Sequence, residues 1–316
     1  MACHTKFSKE ELNSIISGYT IGKLVDFKPF KAGYVQSNIL LRTKTEKYVL
    51  RYYENRTKEY VIYEADFLDY LSKHNYPCAM PKKNSNNQII GEYNNKPYIL
   101  FSYLIGRHLK NLNEKQNHEM IKHLALLHKI SEGYKPNNFN KRQPRSKEFC
   151  LHEAKIEAEK FENKEEGRKR LALVKSRLNK LSFPSDLPNG VIHGDFDKAN
   201  IKFMGDKLSG VLDFDDATNT FLIYDIGVIL LYWTRFYLKK FDFNKAQKII
   251  KIYNEYKPLT NLEKHHIFDA FQLAALMIMS WLMYEKWEGK DIFQILEDIL
   301  LELDNIGRNT FYKMIT

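Results

Sequence analysis

Three oxygen-bearing side chains follow two short apolar segments near the middle of the chain. Asp195 and Asn200 lie in VIHGDFDKAN (191–200), and Asp213 lies in GVLDFDDAT (210–218). Mg²⁺ prefers carboxylate and amide oxygens and takes few of them from protein, because water and phosphate oxygens complete its shell. In phosphoryl transfer, one Asp takes the proton of an alcohol while an Asn and a second Asp hold the metal. The three residues therefore predict a site for phosphoryl transfer.

The segments that must position these side chains begin with a strand-rich N-terminal region. SNILLRT (37–43) and KYVLRYYE (47–54) are β-branched and aromatic runs around a polar turn, which predicts a hairpin. TKEYVIYEADFLDYLSKHN (57–75) has apolar residues at helical spacing and ends before a proline. QIIGEY (88–93) and KPYILFSYL (96–104) predict a second hairpin. The predicted order is strand, strand, helix, strand, strand.

The pattern of the remaining sequence predicts mainly helices. NEKQNHEMIKHLALLHKIS (113–131) carries one apolar stripe, residues 147–181 form a long charged helical segment or a pair, and YDIGVILLYWTRFYL (224–238) is helical again. We therefore predict an α+β fold, with a small antiparallel β-sheet lobe at residues 1–103 and a larger, mostly helical lobe at residues 104–316. A ligand cleft is expected between two such lobes.

One strand of the first lobe carries a candidate for phosphate binding. The alternation of side chains puts Val49 and Arg51 on the same face of that strand. Protein kinases present a lysine to the phosphates from a strand of this kind, and arginine can grip phosphate in bidentate fashion. Glu64 lies beside the inward stripe of the following helix and would pair with Arg51, although Glu59 is a competitor. A buried charge needs such a partner, whereas a surface glutamate does not.

A wider pattern joins these residues into a family resemblance. HGDxxxxN is followed 18 residues after its Asp by DFD, which resembles the aminoglycoside phosphotransferase and choline kinase superfamily, a set of small-molecule kinases with a protein-kinase-like fold. Residues 186–233 are most similar to homoserine kinases built on this fold. The resemblance extends from about Tyr19 to Trp233. It implies a two-lobe kinase that uses Mg²⁺ and takes ATP or GTP as co-substrate.

The resemblance also implies roles for individual residues. Asp195 would be the catalytic base, and Asn200 and Asp213 would be the metal ligands. His193 and Asp225 would brace the catalytic loop. Both have plain structural alternatives, since a histidine ring can bond to loop backbone and an Asp at the start of an apolar helix can be an N-terminal charge.

Two further segments resemble nucleotide-binding parts of these kinases. FKAGYVQSNILL is similar to the nucleotide-covering loop, where backbone N–H groups after Gly33 and the hydroxyl of Ser37 could contact the β-phosphate. Gly33 alone is also compatible with a plain turn. FSYLIG lies where an interlobe hinge would bind a purine, so Ser102, Tyr103 and Leu104 would contribute main-chain contacts.

The acceptor alcohol is the most open question. Homoserine carries a carboxylate and an ammonium group, and kinases specific for it often show arginines in the helix that matches residues 271–287, which is apolar in this chain. An amino alcohol or an aminoglycoside is therefore the alternative acceptor, because carboxylates and aromatic faces attract ammonium groups. The acidic candidates for facing the acceptor are Asp197, Asp215 and Asp216, and the aromatic ones are Trp281, Tyr284 and Trp287.

Composition narrows the class of protein. Lys and Arg number 49 against 39 Asp and Glu, which gives a net charge of +10, but the excess is spread out and no long basic block is present. We therefore expect nucleotide and small-molecule ligands rather than nucleic acid. An RNA-binding protein and a nucleotide-binding pseudokinase that serves as an interaction module are alternatives of other classes. All three catalytic positions are filled, which argues against the pseudokinase.

The chain shows no sign of secretion or of a membrane span. Its N-terminus lacks the pattern of a signal peptide, and the most apolar stretch, at residues 273–283, is too short to cross a bilayer. Cys3, Cys78 and Cys150 are odd in number and without metal-ligand spacing, which indicates a reducing compartment. The prediction is a cytoplasmic kinase that moves the γ-phosphate of ATP or GTP to a hydroxyl of a small metabolite, with a homoserine-like compound as first choice.

Overall fold

A computed structural model describes residues 5–30, 35–287 and 289–315 of the chain. Gly33 and the side chain of Trp287 lie outside this description. The chain divides into two compact units. Unit 1 comprises the described residues up to Lys110 together with Pro136–Arg142 and Ile201–Asp215, and unit 2 comprises Asn111–Lys135, Gln143–Asn200 and the described residues from Asp216 onward.

The helices and strands alternate along the chain as follows. The described helices are α1 (Lys9–Ile16), α2 (Lys58–Lys73), α3 (Glu114–Ser131), α4 (Lys147–Glu159), α5 (Lys164–Asn179), α6 (Ile223–Leu231), α7 (Phe243–Tyr256), α8 (Asn261–Trp281), α9 (Ile292–Ile306) and α10 (Arg308–Ile315). The described strands are β1 (Leu24–Pro29), β2 (Ser37–Thr43), β3 (Lys47–Tyr52), β4 (Ile90–Tyr93), β5 (Lys96–Ser102), β6 (Asn189–Ile192), β7 (Ile201–Met204), β8 (Lys207–Val211), β9 (Thr218–Phe221), β10 (Lys286–Trp287) and β11 (Lys290–Asp291).

Unit 1 is built on an antiparallel sheet of five strands in the order β1-β2-β3-β5-β4. The β2–β3 hairpin and the β4–β5 hairpin are both as predicted, and α2 lies between them in sequence. Asn94 and Asn95 join the second hairpin with φ values of 48° and 61°. A two-residue turn of this hand matches the twist of the flanking strands, and asparagine tolerates the left-handed conformation that it requires.

Two elements of unit 1 precede the predicted set. The sequence pattern did not predict α1 or β1, and the structure adds both before β2. Ser8 and Glu11 form a reciprocal capping box at the start of α1. Leu12, Ile15 and Ile16 of α1 are buried in the same apolar cluster as the inner side chains of the sheet. The short helix is therefore held by packing on the sheet rather than by its own length.

Unit 2 is mainly helical. The charged segment at residues 147–181 is a pair of helices, α4 and α5, and the apolar stretch at residues 273–283 lies mostly in α8 and is largely buried. A Cβ atom at Gly227 of α6 would lie 2.4 Å from the carbonyl oxygen of Ala270 in α8, so the glycine permits close contact of the two helices. This packing fixes α6, which carries Asp225 in its first turn. No helix in the described ranges is long and apolar enough to cross a membrane.

Candidate active site

In unit 2, Asp195 follows β6 through a sharp turn. Gly194 has a φ of 84°, and a Cβ atom at this position would lie 2.6 Å from the carbonyl oxygen of Asp216. Both the backbone conformation and the close contact require glycine here. The backbone N–H of Asp195 donates to Nδ1 of His193 at 3.3 Å, and the His193 side chain is fully buried. The buried ring of His193 therefore supports the turn from inside.

Asn200 is brought directly against Asp195. Its Nδ2 donates to the carbonyl oxygen of Asp195 at 2.9 Å and to Oδ2 of the same residue at 3.0 Å. A short 3₁₀ turn at Lys198–Asn200 brings the amide back toward the carboxylate. Because the amide nitrogen is used in this way, the amide oxygen is the atom of Asn200 that remains for a cation. The five-residue spacing seen in the sequence thus becomes a direct hydrogen-bonded pair.

The turn before Asp195 is held by a buried carboxylate. Oδ2 of Asp225 accepts from the backbone N–H of His193 at 2.7 Å, and Oδ1 accepts from the N–H of Gly194 at 2.9 Å. Nε2 of His128 lies 3.1 Å from Oδ2 of Asp225, and Nδ1 of His128 lies 2.8 Å from the hydroxyl of Tyr253. All these groups are buried, so Asp225 fixes the turn through bonds that water cannot exchange.

His128 is a member of this network that sequence reasoning missed. It lies on α3, within the segment for which the sequence predicted one apolar stripe, and it is fully buried there. A buried imidazole must find hydrogen-bond partners, which was the available signal. The identity of the partner could not be read, because His128 and Asp225 are 97 residues apart in sequence.

In unit 1, Arg51 lies between two carboxylates. Its Nη1 is 3.0 Å from Oδ1 of Asp213 and 3.4 Å from Oε1 of Glu64, and its Nε donates to Oδ1 of Asn38 at 3.1 Å. The hydroxyl of Tyr53 donates to Oε2 of Glu64 at 2.9 Å. The predicted partner of Arg51 is therefore found at Glu64, the residue on the inward stripe of α2.

Burial and charge act in opposite directions on this pair. Burial raises the pKa of Glu64 to about 7, and Arg51 opposes the rise. For Arg51, burial works against the charged form, but Asp213 and Glu64 outweigh it and raise the pKa of the guanidinium. Arg51 thus stays charged, as a phosphate-binding group must.

Asp213 follows β8 in a left-handed conformation, with a φ of 66°. Aspartate is among the few residues that tolerate this region. Its side chain is 47% exposed although it pairs with Arg51. The backbone thus turns the carboxylate outward instead of into the core of unit 1.

The donor atoms present fit the predicted metal. Asp213 offers a carboxylate and Asn200 an amide oxygen, which are hard ligands suited to Mg²⁺. Within the described ranges, no group of three or more His, Cys, Asp or Glu side chains is arranged to hold a metal. A nucleotide-bound Mg²⁺ does not need one, since it takes only one or two protein ligands together with phosphate oxygens and water.

Asp215 is buried in unit 1 with its charge matched. Arg56 donates from Nη2 to Oδ2 of Asp215 at 3.0 Å and from Nε to Oδ1 at 3.2 Å, and Nε2 of Gln36 donates to Oδ2 at 3.2 Å. Burial raises the pKa of the Asp215 carboxyl. Arg56 and two other arginines lower it by more than burial raises it, so the pKa lies below its ordinary value. The backbone carbonyl of Asp215 accepts from Arg142 and from the hydroxyl of Tyr60. This residue anchors the chain near Asp213, and sequence reasoning missed Arg56 and Arg142 as its partners.

The other two acidic candidates lie in unit 2. Asp197 is buried, and its oxygens accept from Nε1 of Trp233 at 3.2 Å and from the backbone N–H of Ala199 at 3.3 Å. The π-helix at Tyr232–Phe236 carries Trp233. Asp216 pairs with Arg145 at 2.8 Å, and its side chain is 40% exposed. Of the three acidic candidates, Asp216 is the most accessible.

The predicted nucleotide contacts of unit 1 have partners within the protein. The hydroxyl of Ser37 donates to Oε1 of Glu54 at 2.5 Å, so a phosphate contact would require exchange of this bond. The backbone N–H of Ser102 donates to the carbonyl of Met80 and that of Tyr103 to the carbonyl of Lys47. The carbonyl of Leu104 accepts from Nζ of Lys202, and the side chain of Val49 is half-buried on β3. These nucleotide contacts remain predictions.

Comparison with known proteins places the sequence among phosphotransferases. The sequence model of the family described as "Phosphotransferase enzyme family" matches residues 26–250. The homoserine kinase of Agrobacterium fabrum (strain C58) is 29% identical over 266 residues, which are 83% of this chain and 81% of the relative. The homoserine kinase of Chelativorans sp. (strain BNC1) is 29% identical over 286 residues, which are 90% and 88%.

Solved structures confirm the fold predicted from sequence. The amicoumacin kinase hAmiN, in complex with AMP-PNP, Ca²⁺ and Ami, superposes with a TM-score of 0.73 at 16% identity over 98% of both chains. A microcompartment-associated aminopropanol kinase gives a TM-score of 0.69 at 13% identity over 96% of this chain and 98% of that one. At such identities the likeness concerns the kinase-like fold alone.

Proposed function

Because the chain belongs to the phosphotransferase enzyme family, we propose that this small-molecule kinase transfers the γ-phosphate of ATP to the hydroxyl group of homoserine. The bond from the β–γ bridging oxygen to the γ-phosphorus breaks, and a bond from the acceptor oxygen to that phosphorus forms. The hydroxyl proton goes to Asp195, and ADP leaves. One observation carries the proposal: Asp195 and Asn200 are hydrogen bonded at the spacing that kinases use.

Asp195 is the proposed base. Its turn is fixed by Gly194, His193 and the buried carboxylate of Asp225, so the carboxylate stays in place when an acceptor binds. Asn200 holds one oxygen of Asp195 through its amide nitrogen. A base that is already oriented contributes to rate because no reorganisation is needed during proton transfer.

The nucleotide-binding roles are assigned residue by residue. Asn200 and Asp213 would hold Mg²⁺, which would offset the negative charge of the phosphates. Arg51 would contact the phosphates, and its present partners Asp213 and Glu64 keep it charged and oriented. Gly33, Ser37, Val49, Ser102, Tyr103 and Leu104 complete the proposed nucleotide-binding set, with ATP or GTP as donor.

Homoserine is the first-choice acceptor, and an amino alcohol or an aminoglycoside is the alternative. Curated relatives at 28–29% identity over most of the chain are homoserine kinases, which supports the first choice. The helix α8 is apolar where homoserine kinases often show arginines, and the half-exposed Asp216 suits any acceptor with an ammonium group, which supports the alternative.

The free thiols of Cys78 and Cys150 support a cytoplasmic location. We place the enzyme in that reducing compartment, where ATP and small metabolites are available. Expression with a fluorescent fusion partner and cell fractionation would test this placement. Recovery of the active enzyme from an extracellular fraction would contradict it.

The experiment is an acceptor survey with purified protein. ADP release is measured with ATP and Mg²⁺ in the presence of L-homoserine, 3-aminopropan-1-ol, choline or kanamycin, and the product is identified by ³¹P NMR. We expect homoserine to give the highest kcat/KM and a new phosphomonoester signal, with kcat on the order of 1–10³ s⁻¹. The Asp195→Asn variant is the matched control and should give neither ADP release nor the phosphomonoester signal. Kinase activity with none of these alcohols would overturn the proposal.

A further inference from the structure

One lysine of unit 1 is buried without a carboxylate to pair with it. Lys202 of β7 is 9% exposed, and no carboxylate of the described residues forms an ion pair with it. Burial lowers the pKa of its ammonium group. A buried cation costs free energy, whereas an apolar side chain could fill the same space without that cost. Packing alone therefore does not account for a lysine at this position.

The ammonium group of Lys202 is held on the segment that the sequence assigns to the purine, Ser102–Leu104, which we call the purine segment. Its Nζ donates to the carbonyl oxygen of Leu104 at 2.8 Å and lies 4.4 Å from the centroid of the Tyr103 ring. Gly210 of β8 pairs with Lys202, and a Cβ atom at Gly210 would lie 2.5 Å from Cδ1 of Leu104. The β7–β8 hairpin therefore contacts the carbonyl and the side chain of Leu104.

The purine segment lies at the right distance from the proposed phosphate contact. The backbone N–H of Tyr103 donates to the carbonyl of Lys47 at 3.2 Å, at the start of β3. Arg51 lies four residues further along this strand, which corresponds to about 13 Å at the rise of a β-strand. An extended nucleoside triphosphate can span this length. Unit 1 thus contains both a segment for the base and a cation for the phosphates.

The backbone groups of the purine segment face two sides alternately. The N–H of Tyr103 donates to Lys47 on β3, and the N–H of Ser102 donates to Met80 on the other side. Alternation in an extended chain puts Leu104 on the side of Ser102. Within the part of the chain that the structure describes, neither the carbonyl of Ser102 nor the N–H of Leu104 forms a hydrogen bond. This edge therefore offers a free acceptor, then a free donor, then a carbonyl that the ammonium group already occupies.

The order of these groups matches adenine and not guanine. Adenine has its 6-amino donor beside the acceptor N1, which fits the carbonyl of Ser102 and the N–H of Leu104. Guanine has the acceptor O6 beside a donor at N1, so it needs an N–H and then a carbonyl, which here are those of Leu104. The same pair of Ser102 is engaged, because its N–H donates to Met80. The N1–H of guanine would meet the ammonium charge of Lys202 at the Leu104 carbonyl.

We propose that Lys202 makes the nucleotide site selective for adenine over guanine by occupying the carbonyl of Leu104. This inference rests on the proposed function, which assigns a purine nucleotide to this segment. Lys202 acts through a backbone carbonyl and is a positioning residue, because it decides which backbone groups a purine can use. A purine that needs this carbonyl has a donor left unsatisfied and should bind about 10-fold or more weakly.

The test measures binding of nucleoside diphosphates, which requires no turnover. Calorimetric titration in the presence of Mg²⁺ gives Kd for ADP, GDP, inosine diphosphate and 2,6-diaminopurine riboside diphosphate. Wild type should bind ADP and the diaminopurine nucleotide about 10-fold or more tightly than GDP and inosine diphosphate. The 6-amino or 6-oxo group then decides the fit, and the 2-amino group does not.

Lys202→Met frees the carbonyl of Leu104 and keeps a side chain of similar length. The ratio of Kd for GDP to Kd for ADP should fall by about fivefold or more. Lys202→Arg keeps a charged donor and should keep most of the wild-type ratio. Lys47→Met is the matched control, because it removes an exposed ammonium group 5.6 Å from the same Tyr103 ring and leaves the Leu104 carbonyl occupied. Its ratio should equal that of wild type.

The proposal is overturned if wild type binds GDP as tightly as ADP, or if folded Lys202→Met keeps the wild-type ratio. A preference for GDP that disappears in Lys202→Met also contradicts it, because Nζ of Lys202 would then bind O6 of guanine. Urea unfolding checks the fold, and Lys202→Leu replaces Lys202→Met should the latter not fold.

ADP release with homoserine, measured on the same proteins, separates this inference from the proposed function. If wild type shows no turnover but prefers ADP, and Lys202→Met loses that preference, the kinase proposal fails while the role of Lys202 stands. If wild type turns over homoserine and the Kd ratio is the same in Lys202→Met, the role of Lys202 is contradicted while the kinase proposal stands. Binding of neither ADP nor GDP contradicts both.

Discussion

In unit 1, Arg51 lies between the carboxylates of Asp213 and Glu64, whereas in unit 2 the carboxylate of Asp225 lies between two backbone N–H groups. The first arrangement consists of side-chain ion pairs, one of them with a partner that is 47% exposed. The second is fully buried. In the first arrangement a charged group pairs with charged side chains, and in the second a charged group accepts hydrogen bonds from the backbone.

The difference follows from what each arrangement has to do. The ion pair of Arg51 with Asp213 can be exchanged for one with a phosphate, because solvent reaches the Asp213 carboxylate. A buried carboxylate that accepts from backbone N–H groups cannot leave them for another partner, because the buried donors would then be unsatisfied. The network of unit 1 therefore suits a group that binds a ligand, and the network of unit 2 suits a group that must stay in position.

The largest effect is expected at the base. Asp195→Asn removes the proton acceptor and retains the hydrogen-bonding size of the side chain, so kcat should fall by about 10²- to 10⁴-fold. Steady-state ADP release with homoserine measures this. Asp186→Asn, at an exposed position of the same unit, should keep wild-type kcat. A kcat for Asp195→Asn within about twofold of wild type would rule out Asp195 as the base.

The next effect is expected at the buried carboxylate of unit 2. Asp225→Ala leaves two buried N–H groups and His128 without their acceptor, and each such donor costs about 1–3 kcal/mol. The free energy of unfolding should fall by about 3 kcal/mol, and kcat by about tenfold because the turn before Asp195 loosens. Urea unfolding and steady-state kinetics measure both. Asp225→Asn keeps one oxygen and should lose less. Unchanged kcat in folded Asp225→Ala would show that the turn does not depend on this carboxylate.

A smaller and pH-dependent effect is expected at Glu64. Its pKa in the folded protein is about 7, above the ordinary value of 4.5. The folded state therefore holds this proton more tightly, so a stabilising contribution present below the ordinary pKa is lost as pH rises through the folded value. Glu64→Gln does not titrate, and its free energy of unfolding should increase relative to wild type from about pH 5 to about pH 8.

Urea unfolding at several pH values measures the change for Glu64→Gln. A variant at the exposed Glu59 of the same helix, Glu59→Gln, is the matched control and should not reproduce the increase. If the difference in free energy of unfolding between Glu64→Gln and wild type is constant across this pH range, burial does not raise the pKa of Glu64.

The smallest effect concerns two thiols, one in each unit. Burial raises the pKa of Cys78 in unit 1 and of Cys150 in unit 2 to about 12. Alkylation by iodoacetamide should therefore be slow at both in the native protein and limited by local opening. Peptide mass spectrometry gives each rate. Asp225→Ala should accelerate Cys150 more than Cys78, and equal acceleration would mean that the two units open together.

The sequence predicts the parts of the molecule that depend on local patterns. The hairpins follow from alternation and turn residues. The sequence assigned Asp195 and Asn200 to one site from their spacing of five residues, and the structure adds the hydrogen bond between them. Helix α1 was missed although Ser8 and Glu11 form a capping box at its start, because eight residues are too few for a helix that is stable by itself, and packing on the sheet holds it.

Contacts between distant segments were beyond sequence reasoning. Asp215 was expected to face an acceptor, but the structure buries it against Arg56, which is 159 residues away in sequence. Periodicity shows which face of an element is buried, but it does not show which partner meets it. The prediction of Glu64 as the partner of Arg51 succeeded because both lie on neighbouring elements, 13 residues apart.

The most direct test of the contrast between the two networks is the affinity for nucleotide in two variants. Calorimetric titration with Mg²⁺ and a non-hydrolysable ATP analogue gives Kd for wild type, Arg51→Met and Asp195→Asn. Our account predicts that Arg51→Met weakens binding by about tenfold or more, because a charged contact to phosphate is lost, and that Asp195→Asn stays within about threefold of wild type. Equal Kd values for Arg51→Met and wild type, or a loss in Asp195→Asn as large as that in Arg51→Met, would contradict it.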